Sequence, residues 1–204
     1  MINYSSDIDL LRAEIAAAAA RMIAEDGADY GTAKRKAAKQ ILGDAKVRGE
    51  ILPDNAQIEN EVRLYNELFF GDSQPMRILH LRTLALQIMQ ELVQFSPYLT
   101  GAVLNGTAGE HSDIHLQLFA ESPKDVEIYL LNKNINFETS ETPHFKGRNE
   151  SVETVSFMWQ NEGIHLALYE KDDLRGAVKT TPGSRTERAD IAAVCRLINE
   201  SESK

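Results

Sequence analysis

Long apolar stretches bounded by helix start and stop signals fill the first hundred residues, and short alternating stretches fill the rest. Ser6 is a good helix N-cap with Asp7 and Asp9 in the first turn, and "LLRAEIAAAAARMIAED" then runs to Gly27. A second helix is predicted over "GTAKRKAAKQIL", stopping at Gly43, and a third begins after Pro53, with Asp54 as N-cap and Gln57 three residues on, and runs to Gly71. In a fourth, "MRILHLRTLALQIMQELVQF", Leu81, Leu84, Ile88 and Leu92 share one face, and the helix closes before Pro97.

After Pro97 the period shortens. "LTGAVLNG" reads as a short apolar strand entering a glycine turn. In "SDIHLQLF", Ile114, Leu116 and Leu118 alternate with Asp113, His115 and Gln117. "SPKDVEIYLLNKN" is a helix capped by Ser122 with Pro123 at its first position, "VETVSFMWQ" and "GIHLALYE" are two strands joined at "NEG", and "TERADIAAVCRLINES" is a terminal helix. The pattern predicts an α+β protein: an N-terminal helical region over residues 1–75, then a small mixed-sheet domain with a C-terminal helix over 76–204.

Composition narrows the function classes. The 204 residues are 43% hydrophobic, enough for a real core, and the formal net charge of −9 argues against a surface that binds nucleic acid everywhere. The single cysteine, Cys195, excludes an intrachain disulfide and sits at helical spacing with Ile191, Val194 and Ile198, as core packing does. No stretch approaches the ~18 apolar residues of a membrane span, and the N-terminus lacks a basic segment followed by an apolar run, so a cytoplasmic protein is expected.

Two near-identical segments frame the chemical question. "SDIDL" at Ser6 is explained by its helix start. "SDIHL" at Ser112 follows a turn holding Gly106 and Thr107 and puts Asp113 at the start of a strand's polar face. Glycine lets backbone amides approach a phosphate, a hydroxyl adds a bond, and an acid on the next strand suits a phosphate-bridging metal.

The segment "VLNGTAGEHSDIHLQLF" resembles the nucleotidyltransferase superfamily that includes DNA polymerase beta and the CCA-adding enzymes. Its pattern is a strand, a Gly-Gly or Gly-Ser turn, Asp-h-Asp/Glu-h on the next strand (h apolar), and a third acid on a later strand. The resemblance covers roughly residues 77 to 175. It implies a nucleoside triphosphate as ligand, an RNA or protein as acceptor, and phosphate contacts from Gly106 and Thr107. It further implies catalysis by two divalent ions at Asp113 and the positions held here by His115 and His165.

Those two positions depart from the family. Magnesium prefers hard oxygen ligands, so one carboxylate with two imidazoles does not hold two Mg²⁺ ions as three carboxylates do. If His111, Asp113 and His115 share one face of an extended segment and His165 an adjacent strand, the set suits a softer ion such as Mn²⁺ or Zn²⁺. The other reading of these histidines is that His111 lies in a solvated loop while His115 and His165 hydrogen-bond across the sheet. Whether the protein is an enzyme is left open by these substitutions.

Two basic runs remain. "RGAVKTTPGSRTER" carries Arg175, Lys179, Arg185 and Arg188, which meet either a triphosphate or solvent. "AKRKAAK" carries Lys34, Arg35, Lys36 and Lys39, within a stretch that resembles the first helices of TetR-type repressors. This gives the alternative: a non-enzymatic regulatory or nucleic-acid-binding module using the helical half.

Overall fold

The computed structural model describes residues 4–28, 30–43, 49–145, 147–176 and 188–202. The chain is mixed α+β and divides into two compact units. The first comprises Met1–Arg77 with Gly106–His111, and the second Ile78–Asn105 with Ser112–Lys204.

In the first unit, α1 (Tyr4–Asp26) presents Ile15, Ala16, Ala19 and Ala20 to Ala33, Ala37 and Ala38 of α2 (Tyr30–Leu42) and to Ile58 and Val62 of α3 (Asn55–Phe70). Alanine on both sides of the α1–α2 contact lets the backbones approach closely, and the larger Ile58 and Val62 fill the remaining space. Gly27 and Gly43 close α1 and α2 at φ of 66° and 62°, in the left-handed region that favours glycine. Asp54 and Gln57 form the expected reciprocal capping box. Ser6, expected as a cap, lies inside α1, because Tyr4 and Ser5 contain no Gly or Pro to stop the helix from extending outward.

The second unit is built on a five-stranded sheet of order β1-β2-β5-β4-β3 among the described residues. The strands are β1 (Tyr98–Thr100), β2 (Ile114–Ala120), β3 (Glu138–His144), β4 (Gly147–Trp159) and β5 (Glu162–Glu170). β2 and β5 run parallel; the other neighbours are antiparallel. Leu99, Leu116, Leu166 and Val155 are register partners across four strands, and each is at most 1% exposed, so this transverse row is the centre of the core. Around it are helices α4 (Gln74–Glu91, its first turn in the first unit), α6 (Pro123–Asn132), the short α7 (Lys171–Gly176) and α8 (Ile191–Glu202), with Leu81, Leu84, Val126, Leu130 and Val194 buried.

Several elements depart from the sequence reading. The strand expected over "LTGAVLNG" is only three residues long, because Gly101 at φ 72° turns the chain into the short helix α5 (Gly101–Asn105). β3 was not expected: its "ETSETPH" is almost wholly exposed and lacks an apolar face. The β4–β5 hairpin turns at Gln160 and Asn161, both at positive φ, ahead of the "NEG" glycine. Ser122 precedes α6 without a capping hydrogen bond, and Asp190, which accepts from Ala193 N at 2.8 Å, caps α8. No described helix is long and apolar enough to cross a membrane.

Candidate functional site

Beside the apolar row, on the opposite face of the sheet, runs a polar one. Thr100 of β1 pairs with His115 of β2, His115 with His165 of β5, His165 with Ser156 of β4, and Ser156 with Glu138 of β3. The period of two in each strand makes this necessary: shifting one residue from the Leu99–Leu116–Leu166–Val155 row moves every side chain to the other face. Register thus gathers five distant polar residues into one line.

Within that line His165 is held at both nitrogens. Its Nε2 lies 3.0 Å from Asp113 Oδ2 and its Nδ1 lies 2.8 Å from Ser156 Oγ. A carboxylate only accepts, so the ring proton belongs on Nε2, and Nδ1 is left to accept from the Ser156 hydroxyl. The His115 ring stacks on His165 with centroids 4.7 Å apart and an interplanar angle of 16°. Packing around its ring, and then the neighbouring His165, hold the His115 pKa below its ordinary value, with the opposing pull of Asp113 the smaller effect, although the residue as a whole is exposed on the sheet face.

Asp113 reaches this position only because residue 163 is a glycine. A Cβ at Gly163 would sit 2.6 Å from Asp113 Cγ and closer still to Oδ1. Gly101 approaches from the β1 side, where an added Cβ would lie 3.8 Å from His115 Cβ and Cδ2. Arg82, buried in α4, donates from Nε to Val103 O and from Nη2 to Leu104 O, both at 3.1 Å, and so fastens α5 after the Gly101 turn. Sequence reading missed Ser156, Gly163, Gly101 and Arg82. Only the juxtaposition of Gly163 with a strand carrying His165 hinted at any of them.

The expected phosphate turn falls in the first compact unit. Gly106, Thr107 and His111 belong to the first unit, whereas Asp113, His115 and His165 belong to the second. Gly106 O accepts from Gln74 Nε2 at 3.0 Å, Thr107 O from Asn66 Nδ2 at 3.2 Å, and Glu110 O from Arg77 Nη2 at 2.9 Å. Thr107 is only 3% exposed, and its hydroxyl and Asn66 Oδ1 lie buried without partners. His111 backs onto Gly27, whose added Cβ would meet His111 Cβ at 3.0 Å.

The donor set does not fit a pair of magnesium ions. Asp113 is the one carboxylate of the three positions, it is engaged by His165, and both nitrogens of His165 are occupied. Among the described residues no group of three or more His, Cys, Asp or Glu side chains is arranged to hold a metal ion.

The basic runs divide likewise. Arg35, Lys36 and Lys39 are exposed on the side of α2 away from the buried Ala33, Ala37 and Ala38, whereas Lys34 shares the face of Ala37 and Ala38 at i+3 and i+4 spacing and is half-buried; its Nζ donates to Asn55 Oδ1 at 3.2 Å. Of the C-terminal run, Lys179 and Arg185 lie outside the described residues, as does the side chain of Arg175. The Arg188 guanidinium lies over the rings of Phe119 and Phe145, 5.6 and 5.1 Å from their centroids, as part of an aromatic cluster.

No protein-family model matches the chain, and no curated protein does. Among solved structures, the GLD-2/RNP-8 complex is similar in part: 18% sequence identity and a TM-score of 0.31 over 57% of this chain and 48% of that one. The chain therefore spans about half the length of the chain it matches there.

Proposed function

We propose that the second unit is a divergent nucleotidyltransferase-like domain that no longer carries out magnesium-dependent nucleotidyl transfer. The observation that carries this reading is the convergence of Asp113, His115 and His165. In the superfamily pattern those are the positions of the three acids, and here two are imidazoles and the remaining carboxylate hydrogen-bonds His165. Nucleoside triphosphate remains the first ligand class to test. Any metal dependence would involve Asp113 with His115 and His165, and Mn²⁺ or Zn²⁺ before Mg²⁺.

The test combines transfer and binding. The protein is incubated with each labelled NTP and Mg²⁺ or Mn²⁺, and melted with each NTP with and without Mg²⁺, Mn²⁺ or Zn²⁺; a ligand at 100 times its Kd stabilises by about 2.7 kcal/mol. The expected result is no Mg²⁺-dependent product from the natural sequence, and metal-dependent stabilisation gained in a His115→Asp, His165→Asp variant that restores three carboxylates. A Mg²⁺-dependent product lost in Asp113→Ala would overturn the reading.

A second reading rests on α2, where Arg35, Lys36 and Lys39 lie exposed on the side of the helix turned from its buried alanines, with Lys34 half-buried beside them. It makes the first unit a nucleic-acid-binding module, with RNA or DNA as partner.

A further inference from the structure

The relay Asp113–His165–Ser156 raises a question that the nucleotidyltransferase comparison does not address: what a serine hydroxyl does at the end of it. Each link has hydrogen-bond geometry, at 3.0 Å and 2.8 Å. The proton directions follow from the carboxylate, which fixes Nε2–H and leaves Nδ1 as the base facing Ser156 Oγ. The side chains of Asp113 and His165 remain 47% and 30% exposed, so the relay is reachable from solvent.

All three residues line one open groove of about 870 Å³, whose other walls include Asn134, Phe137 and Trp159. A hydroxyl hydrogen-bonded to a neutral imidazole, itself oriented by a carboxylate, is the arrangement that activates a serine nucleophile. The two imidazole nitrogens are used in the opposite sense from the serine proteases, with Nδ1 toward serine. This leaves the proton path unchanged, since either nitrogen accepts a proton when the other carries one.

We propose that Ser156 is a nucleophile activated by His165, with Asp113 as the positioning residue, and that the groove takes neutral carboxylic esters with an apolar acyl group. The acyl preference comes from the walls, where Ile135, Phe137, Phe157, Met158 and Trp159 supply apolar surface. The preference for a neutral substrate comes from Asp113 and Glu138, which flank the relay with negative charge and repel an anionic one.

Ser156 Oγ adds to the acyl carbon as its proton passes to His165 Nδ1. The bond from that carbon to the alcohol oxygen then breaks, and the same proton goes to the departing alkoxide. Water, deprotonated by the same nitrogen, attacks the acyl-serine, and the proton returns to Ser156 as the acid leaves. Ester and water give acid and alcohol, with no oxidant or reductant. The proposal does not depend on nucleotide binding and goes beyond the nucleotidyltransferase reading.

The test is covalent labelling of the full chain with a fluorophosphonate, followed by intact-mass analysis and peptide mapping, with hydrolysis of 4-nitrophenyl butanoate as the turnover assay. The expected result is a single adduct on Ser156, absent in heat-unfolded protein and in Ser156→Ala, and formed about a hundredfold more slowly in His165→Gln. Asp113→Asn keeps the size of the side chain and removes its charge. It should slow labelling while Asp113→Glu restores part of the rate, a split that a space-filling role would not produce. Mapping the adduct on the natural sequence needs no variant to fold. No adduct on Ser156, or a labelling rate unchanged in His165→Gln, overturns the proposal, and neither result bears on whether an NTP shifts the melting temperature.

Discussion

Gly163 is the residue on which the geometry of Asp113 turns. Gly163 pairs with Met158 at the start of β5, and the space its missing Cβ leaves is filled by the Asp113 carboxylate. In Gly163→Ala the carboxylate must swing off His165, since the backbone is fixed in the sheet while the aspartate side chain is half exposed. Overpacking of this kind costs about 1–3 kcal/mol. We expect a lowered melting temperature together with loss of Ser156 labelling, whereas a substitution that only loosened the fold would leave labelling at low temperature intact. Unchanged labelling in folded Gly163→Ala would show that Asp113 is dispensable to the relay. His115 gives a second prediction. Its folded pKa lies below the ordinary imidazole value of about 6.5, so as pH falls through that value the unfolded chain takes up a proton before the folded one does. Stability from this residue is therefore full above about pH 6.5 and declines on acidification toward the folded pKa. The neighbouring His165 disfavours that proton and Asp113 favours it. Between about pH 7 and pH 5 the melting temperature of the natural protein should fall relative to that of His115→Gln; parallel curves would remove His115 from the acid sensitivity.

At the scale of elements, the two transverse rows explain both stability and site. Leu116 is 1% exposed at the middle of the apolar row, between Leu99 and Leu166. Leu116→Ala should cost about 2–5 kcal/mol in chemical denaturation, and a loss well below that would mean the sheet collapses onto the cavity. The helices and the central strands were legible in the sequence because each carries its own period and its own start or stop residue: the Asp54–Gln57 box, the closing glycines, the alternation from Ile114 to Leu118. β3 was not, since an exposed strand of Glu, Thr and Ser has no buried face to leave a pattern. The site was half legible. Asp113, His115 and His165 stand out as an altered motif. Ser156 is one serine among several until strand register sets it against His165, and register between strands nine residues apart or more is a property of pairing. The Gly106–Thr107 turn precedes Asp113 in the chain, and its carbonyls are tied to Gln74 and Asn66 of the first unit, while the glycine that opens the turn after β1 is Gly101, a distinction of pairing that the sequence pattern does not carry.

For the whole molecule the deciding quantity is charge. A formal net charge of −9 repels any polyanion at long range, so nucleic-acid binding would have to come from a local cluster strong enough to act inside a Debye length, about 8 Å at physiological salt. The α2 cluster is such a candidate, with Lys34, Arg35, Lys36 and Lys39 on one short helix. Its size limits the effect it can have. Each neutralised phosphate contributes about 0.7 to the slope of log K against log salt for single strands, so four contacts give a slope no steeper than about −3. Binding of a labelled single-stranded RNA, measured from low to physiological salt, should therefore be weak, shallow in its salt dependence, and abolished in Lys34→Ala, Arg35→Ala, Lys36→Ala. A slope much steeper than −3 would require basic surface beyond α2 and move attention to the arginines and lysines between residues 175 and 188. No binding even at low salt would remove the nucleic-acid reading and leave the polar row of the sheet as the place where this protein meets its ligand.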